Sequence, residues 1–247
     1  MKLREALGIL MSNIIFFLAV TLIIWVPAYS VIIIKNLFYT GVSWPAVTEF
    51  YGALLPWLDF NKVLSEFISF CIDATVISLL VPFHGGVTVY AAYKLKQGQQ
   101  LSLGEALVEG YKKWWTMLCV SFLYSVFVFL GCLLFIIPGI IVAAIFSLVF
   151  VNAVVEEPNI WRNFERSMEL TRPQLLQVIG ATFVVLVVLG LVSSVLDGSV
   201  YWMGAGKNQL VVLFTGLMGQ ILSLIYWVYP LPFYAGNTIK DAESPAV

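Results

Sequence analysis

Charge is the scarcest commodity in this sequence. Only 11% of its 247 residues are Asp, Glu, Lys or Arg, while 61% are hydrophobic; soluble domains carry about 25% charged residues. A chain so poor in charge cannot cover a surface facing water, which excludes an ordinary soluble domain and leaves lipid as the main solvent. The formal net charge is -1. Without a clustered basic excess, a nucleic-acid partner is excluded as well. Histidine occurs once, as His84, and cysteine three times, as Cys71, Cys119 and Cys132. The cysteines sit singly in apolar stretches with no CxxC or Cys/His spacing, so a zinc site is not expected. A Gly-rich phosphate loop, a nucleophile elbow and an HExxH motif are missing too. The chain therefore reads as a protein that is not an enzyme and carries no cofactor.

What the sequence has is apolar length. A membrane-crossing helix needs about 20 apolar residues. Six stretches supply them: Ile9 to Ile34, Phe67 to Tyr93, Met117 to Ile137, Ile140 to Val155, Leu175 to Leu196 and Leu210 to Ala235. The first follows Lys2 and Arg4 like a signal peptide, but its run outlasts the about 7–15 residues of such a segment, so an uncleaved span is expected. The third and fourth belong to one apolar stretch about twice the bilayer thickness. Pro138-Gly139 is the expected reversal point, and a re-entrant hairpin is the alternative for the short fourth stretch.

Lys and Arg set the orientation. Lys2, Arg4, Lys94, Lys96, Lys112, Lys113, Arg162, Arg166, Arg172 and Lys240 fall on the side of the N-terminus, against Lys35, Lys62 and Lys207 on the other. Both termini are therefore expected in the cytoplasm of a bacterial cell, with the chain in the inner membrane.

Three segments superimpose without gaps: Leu3 to Leu7, Leu103 to Leu107 and Ile160 to Phe164, each preceding a span. In the middle copy Leu103, Ala106, Leu107, Tyr111, Trp114 and Trp115 recur at helical spacing, with Glu105, Glu109, Lys112 and Lys113 opposite. In the third copy Ile160, Phe164 and Met168 oppose Arg162, Glu165, Arg166 and Glu169. Ser102 with Glu105 reads as a capping box, and Asn159 as a cap. Such helices suit the membrane interface. The expected fold is all-α, a single domain over residues 1–247. Its three parallel hairpin repeats would be residues 1–100, 101–157 and 158–247, collared by cytoplasmic interfacial amphipathic helices.

The run Trp161-Arg162-Asn163-Phe164-Glu165-Arg166-Ser167-Met168-Glu169-Leu170-Thr171-Arg172, after the hairpin turn Ile136-Ile137-Pro138-Gly139-Ile140-Ile141, resembles the bacterial membrane domain appended to some glycerophosphodiester phosphodiesterases. It is similar to that domain's stand-alone relatives as well. The likeness extends to Leu101-Ser102-Leu103-Gly104-Glu105-Ala106-Leu107. Pro173 stands where that group usually has glycine, and the catalytic barrel is not in the sequence, so the resemblance implies a membrane fold and no phosphodiesterase activity.

Polar residues inside spans are the candidate functional groups. His84, in Val81-Pro82-Phe83-His84-Gly85-Gly86, sits at a proline break that could bind a substrate or relay a proton; the competing reading is a packing histidine bonded to a neighbouring helix. Asp73, about three turns further out, reads as a cation site or a hydrated carboxylate at the helix mouth. Glu156 and Glu157 complement the start of the following helix. Thr215, Gly219 and Ser223 form a small-residue ridge for helix packing. Tyr39, Trp44, Tyr51, Trp57 and Phe60 read as an interfacial aromatic layer. The functional expectation is a structural or accessory component partnered by the lipid bilayer and by other membrane proteins. The alternative is a transporter or channel component with its path between the hairpins past His84.

Overall fold

The computed structural model describes residues 2–39, 60–156, 159–202 and 209–234. Trp44, Tyr51, Trp57, Glu157, Lys207, Lys240 and the residues after Tyr234 lie outside them, as do the side chains of Tyr39, Phe60 and Lys62. Nine α-helices occur among the described residues, with no strand: α1 Lys2–Ser12, α2 Ile14–Tyr39, α3 Phe60–Lys96, α4 Leu103–Leu134, α5 Ile136–Ile145, α6 Val149–Val155, α7 Ile160–Thr171, α8 Leu175–Trp202 and α9 Gln209–Val228. Six stretches of helix are long and apolar enough to cross a membrane: Ile14–Ile33, Glu66–Lys96, Leu103–Leu134, Ile137–Val155, Ile160–Leu196 and Leu213–Tyr234. That is the pattern of a multi-pass membrane protein.

Local chemistry sets several boundaries. Ser102 and Glu105 form the capping box at the start of α4, each side chain bonding the other residue's backbone N–H. Asn159 caps α7 by accepting from the Arg162 N–H at 3.3 Å. Gly98, at φ +74°, ends α3 in the left-handed conformation that a Cβ disfavours. Pro173 interrupts the α7–α8 path with a 3-10 turn over Arg172–Gln174.

The reversal between the third and fourth stretches differs in detail from the expected Pro138-Gly139 turn. Phe135 alone is extended, at φ -169° and ψ 159°, and α5 already begins at Ile136. Pro138 therefore lies in the first turn of α5, where its missing N–H costs no helical bond. Gly139 serves close approach instead. A Cβ there would lie 3.0 Å from the Cys132 backbone nitrogen and 2.2 Å from its Sγ, so the two arms meet at backbone contact.

The middle amphipathic segment is not a separate helix: it continues into the span as the 32-residue α4, about 48 Å long. By contrast, α1 is set off from α2 by a turn at Asn13.

The helices close into a ring in chain order, α2 beside α3, α3 beside α4, α4 beside α5 and α6, α5 beside α8, α8 beside α9, and α9 back against α2. Three helices also meet across the middle, because α3 touches both α6 and α9, and Phe150 of α6 packs edge-on against Trp227 of α9 at 5.1 Å. The core accordingly lies where Val87 to Ala92, Leu148 to Val154 and Leu224 to Tyr234 converge. The far half of α8 is different: Val187, Val188, Leu191, Val192 and Val195 are all exposed.

Candidate functional site

The middle of the bundle is filled by aromatic rings. Gly85 on α3 leaves room for the Trp227 indole, which a Cβ at that position would approach to 2.6 Å. Phe150 sits edge-on to Tyr124 at 4.9 Å as well as to Trp227. The hydroxyls in this layer satisfy one another. Tyr226 Oη donates to Tyr124 Oη at 3.0 Å, Tyr124 Oη donates to the Ala143 carbonyl at 3.4 Å, and Tyr229 pairs with Thr182 at 3.1 Å.

His84 lies at the edge of this plug and is fully buried. Its Nε2 is 3.2 Å from Thr21 Oγ1, and the Thr21 hydroxyl donates its one proton to the Phe17 carbonyl at 2.9 Å. The ring must then supply the proton of the His84–Thr21 bond, which fixes the Nε2–H tautomer and leaves Nδ1 an acceptor. Among the described residues Nδ1 has no partner, and neither has the buried Trp25 Nε1, whose ring stands edge-on to the imidazole at 6.1 Å.

Asp73 is neither a bare carboxylate nor near His84. Lys35 of α2 reaches its Oδ1 at 2.7 Å and also donates to Ser69 Oγ at 2.7 Å. The ammonium is nearly buried and the carboxylate is about one-third exposed, so the pair clips α2 to α3 at the bundle end opposite the N-terminus. In the sequence Lys35 is one of thirteen Lys and Arg residues. Its value lay in its position facing Asp73, which a single sequence does not reveal.

Three further groups take their roles from partners on other turns and helices. The helix break at Phe146–Leu148 strands the carbonyls at the end of α5. Ser147 Oγ takes that of Ala144 at 2.8 Å, while Ser167 Oγ and Thr171 Oγ1, both on α7, donate to that of Ile145 at 2.8 and 3.1 Å. Asn152 Nδ2 on α6 donates to the Asn163 carbonyl on α7 at 3.2 Å. The inward stripe of α7 thus includes Asn163, Ser167 and Thr171 beside Phe164 and Leu170, all buried. It is more polar than the expected Ile160, Phe164 and Met168, because its neighbour is a broken helix with carbonyls to satisfy.

At the N-terminal end of the bundle, Glu5 pairs with Lys96 at 2.7 Å, and Lys2 bonds Gln174 while lying 4.7 Å over the Phe233 ring. Glu156 accepts from Tyr234 Oη at 2.8 Å, with Arg166 at 3.9 Å. The small-residue ridge of α9 is displaced from its expected position. Gly216 is the residue against Tyr29, whereas Gly219 faces open space.

The chain matches no protein family, no curated protein and no solved structure.

Proposed function

We propose that this protein is a non-catalytic structural or accessory component of a bacterial inner membrane, built from three parallel hairpins with both termini in the cytoplasm. The carrying observation is the aromatic plug of Trp227, Phe150, Tyr226 and Tyr124 where α3, α6 and α9 converge. A transport path needs polar groups that face one another across a hydrated gap; here the Tyr226 hydroxyl is spent on Tyr124 and the Tyr124 hydroxyl on the Ala143 carbonyl. The resemblance to stand-alone membrane domains without a catalytic barrel supports the same reading.

Burial supports the repeat. Ala6, Ala106 and Asn163 occupy one position of the three superimposed segments, and all are buried; so do Leu10, Gly110 and Ser167 one turn later. Phe17 and Met117, then Val20 and Val120, continue the match between the first two copies with all four side chains at 0% exposure. A unit of two spans returns the chain to the same side, so the copies are parallel about an axis along the membrane normal. Exposed Met11, Tyr111 and Trp161 then ring the cytoplasmic edge, where a collar of interfacial segments would lie.

His84 Nδ1 and Trp25 Nε1, without a partner among the described residues, favour a second reading, in which a protonic or polar cargo passes this point. His84→Gln separates the two. It retains a donor for Thr21, so under the accessory reading assembly and the set of co-purifying membrane proteins are unchanged. A folded variant that has lost a pH-dependent flux present in the wild type would replace the accessory reading with the transporter.

A further inference from the structure

The helix α3 changes character at Pro82. Among the described side chains of residues 64–81 none is buried, whereas from Pro82 to Ala92 all but Phe83 and Tyr90 are. Of the earlier stretch, Val76, Leu80 and Val81 are the described residues that touch the core, each partly buried. The later stretch is locked on two sides. A Cβ at Gly85 would approach the Trp227 indole to 2.6 Å, and a Cβ at Gly110 of α4 would lie 3.1 Å from the Val87 backbone. One helix thus joins an anchored half to an arm that lies outside the core.

Pro82 weakens the joint between them. It has no N–H to give the Ser78 carbonyl, and its ring crowds that carbonyl, so the helix lacks one of its bonds there. Sharp changes of helix direction concentrate at such positions. The arm also has little apolar reason to stay. Lipid tails are as apolar as a neighbouring helix, so helix packing in a bilayer brings no hydrophobic gain and rests on van der Waals fit and polar bonds. The fit is sparse here, and the bonds are specific. Towards the far end of the arm, Lys35 of α2 holds Asp73 and Ser69 at 2.7 Å each. Next to the joint, the Trp114 indole N–H of α4 donates to the Leu79 carbonyl at 2.8 Å.

We propose that α3 is hinged at Pro82 and that its N-terminal arm, residues 60–81, is a strap held closed by the Lys35–Asp73 and Trp114–Leu79 clips. Releasing a clip frees the arm from its neighbours, while the anchored half, His84 included, stays in place. The inference rests on α3 crossing a bilayer and is independent of both functional readings.

Distances between spin labels on the full chain in lipid nanodiscs test it, with Cys71, Cys119 and Cys132 replaced by Ala. One label goes on the arm at Phe67 and one on α4 at Phe129, both exposed. Close to the second label, α4 is braced by its backbone contact with α5 at Gly131 and Gly139. A pair at Gly104 and Trp161, exposed at the N-terminal end of the bundle, is the control. The wild type should give one narrow distribution for the arm pair. Lys35→Met should at least double its width and leave the control pair unchanged. Adding Pro82→Ala, which returns a donor to the Ser78 carbonyl, should narrow the arm pair again although the clip is still missing, at whatever mean distance the straightened helix sets. An ion pair that only stabilises the fold predicts no such rescue. Should Lys35→Met not elute as a single species, Trp114→Phe releases the other clip and is read in the same way. Equal arm widths in the wild type and the released variant overturn the strap. A width that Pro82→Ala does not narrow overturns the hinge. Equal widening of the control pair means that the whole bundle loosens, and overturns both.

Discussion

Lys35 carries a full charge into a segment whose other side chains are almost all apolar, and Asp73 with Ser69 makes that tolerable. Breaking a buried pair by removing one partner costs about 3–5 kcal/mol; the one-third exposure of Asp73 places this pair at the lower end. Lys35→Met should therefore lower the thermal midpoint in detergent clearly, and Lys35→Met with Asp73→Leu should recover most of the loss. Equal midpoints for the single and double variants would show that the pair contributes nothing. Gly139 is the second residue with a sharp expectation. Ala there meets the Cys132 backbone, which cannot rotate away. Overpacking of this kind costs about 1–3 kcal/mol, and adding Cys132→Ala should restore only the part owed to Sγ. Neither role was legible in the sequence. Asp73 could be singled out for its charge and Gly139 for its neighbour Pro138, but their partners come from other turns and other helices. A lone sequence identifies such a polar residue without naming what it faces.

Among elements, the apolar runs were legible because a span of about 20 residues leaves little freedom in where it lies. The helix starts at Ser102 and Asn159 were legible because capping is a local code. The break between α5 and α6 was not, since nothing at Phe146–Leu148 is a helix breaker except Ser147. That break persists because donors on another helix accept its consequences. The Ile145 carbonyl has two such donors, Ser167 and Thr171. Losing one leaves the carbonyl satisfied; losing both leaves it orphaned, at about 1–3 kcal/mol. Ser167→Ala and Thr171→Val should each be mild and their combination more than additive, read as thermal midpoints in one detergent. Strict additivity would mean that the two hydroxyls act independently of the break.

For the whole molecule, the ring of helices in chain order and the burial shared by the three superimposed segments bear on one question, which side of the membrane each proposed repeat begins on. An even number of spans in each of the first two puts all three beginnings on one side; an odd number in either splits them across the bilayer. The proposed orientation, argued from the positive-inside bias, has that side in the cytoplasm. In a variant with Cys71, Cys119 and Cys132 replaced by Ala, single cysteines at Gly8, Gly104 and Trp161 sample the three beginnings. All three positions are exposed, and a Cβ at either glycine meets nothing within 4 Å, so labelling there reports location and not packing. A cysteine at Phe135, exposed at the α4–α5 reversal, samples the other end of the middle hairpin. With an impermeant maleimide on intact cells, Phe135→Cys should react while Gly8→Cys, Gly104→Cys and Trp161→Cys react only after permeabilisation. The reverse pattern at all four sites would keep the three hairpins and invert the chain in the membrane. A split among the three beginnings would remove the parallel repeat itself, because no arrangement of two-span units can start on both sides.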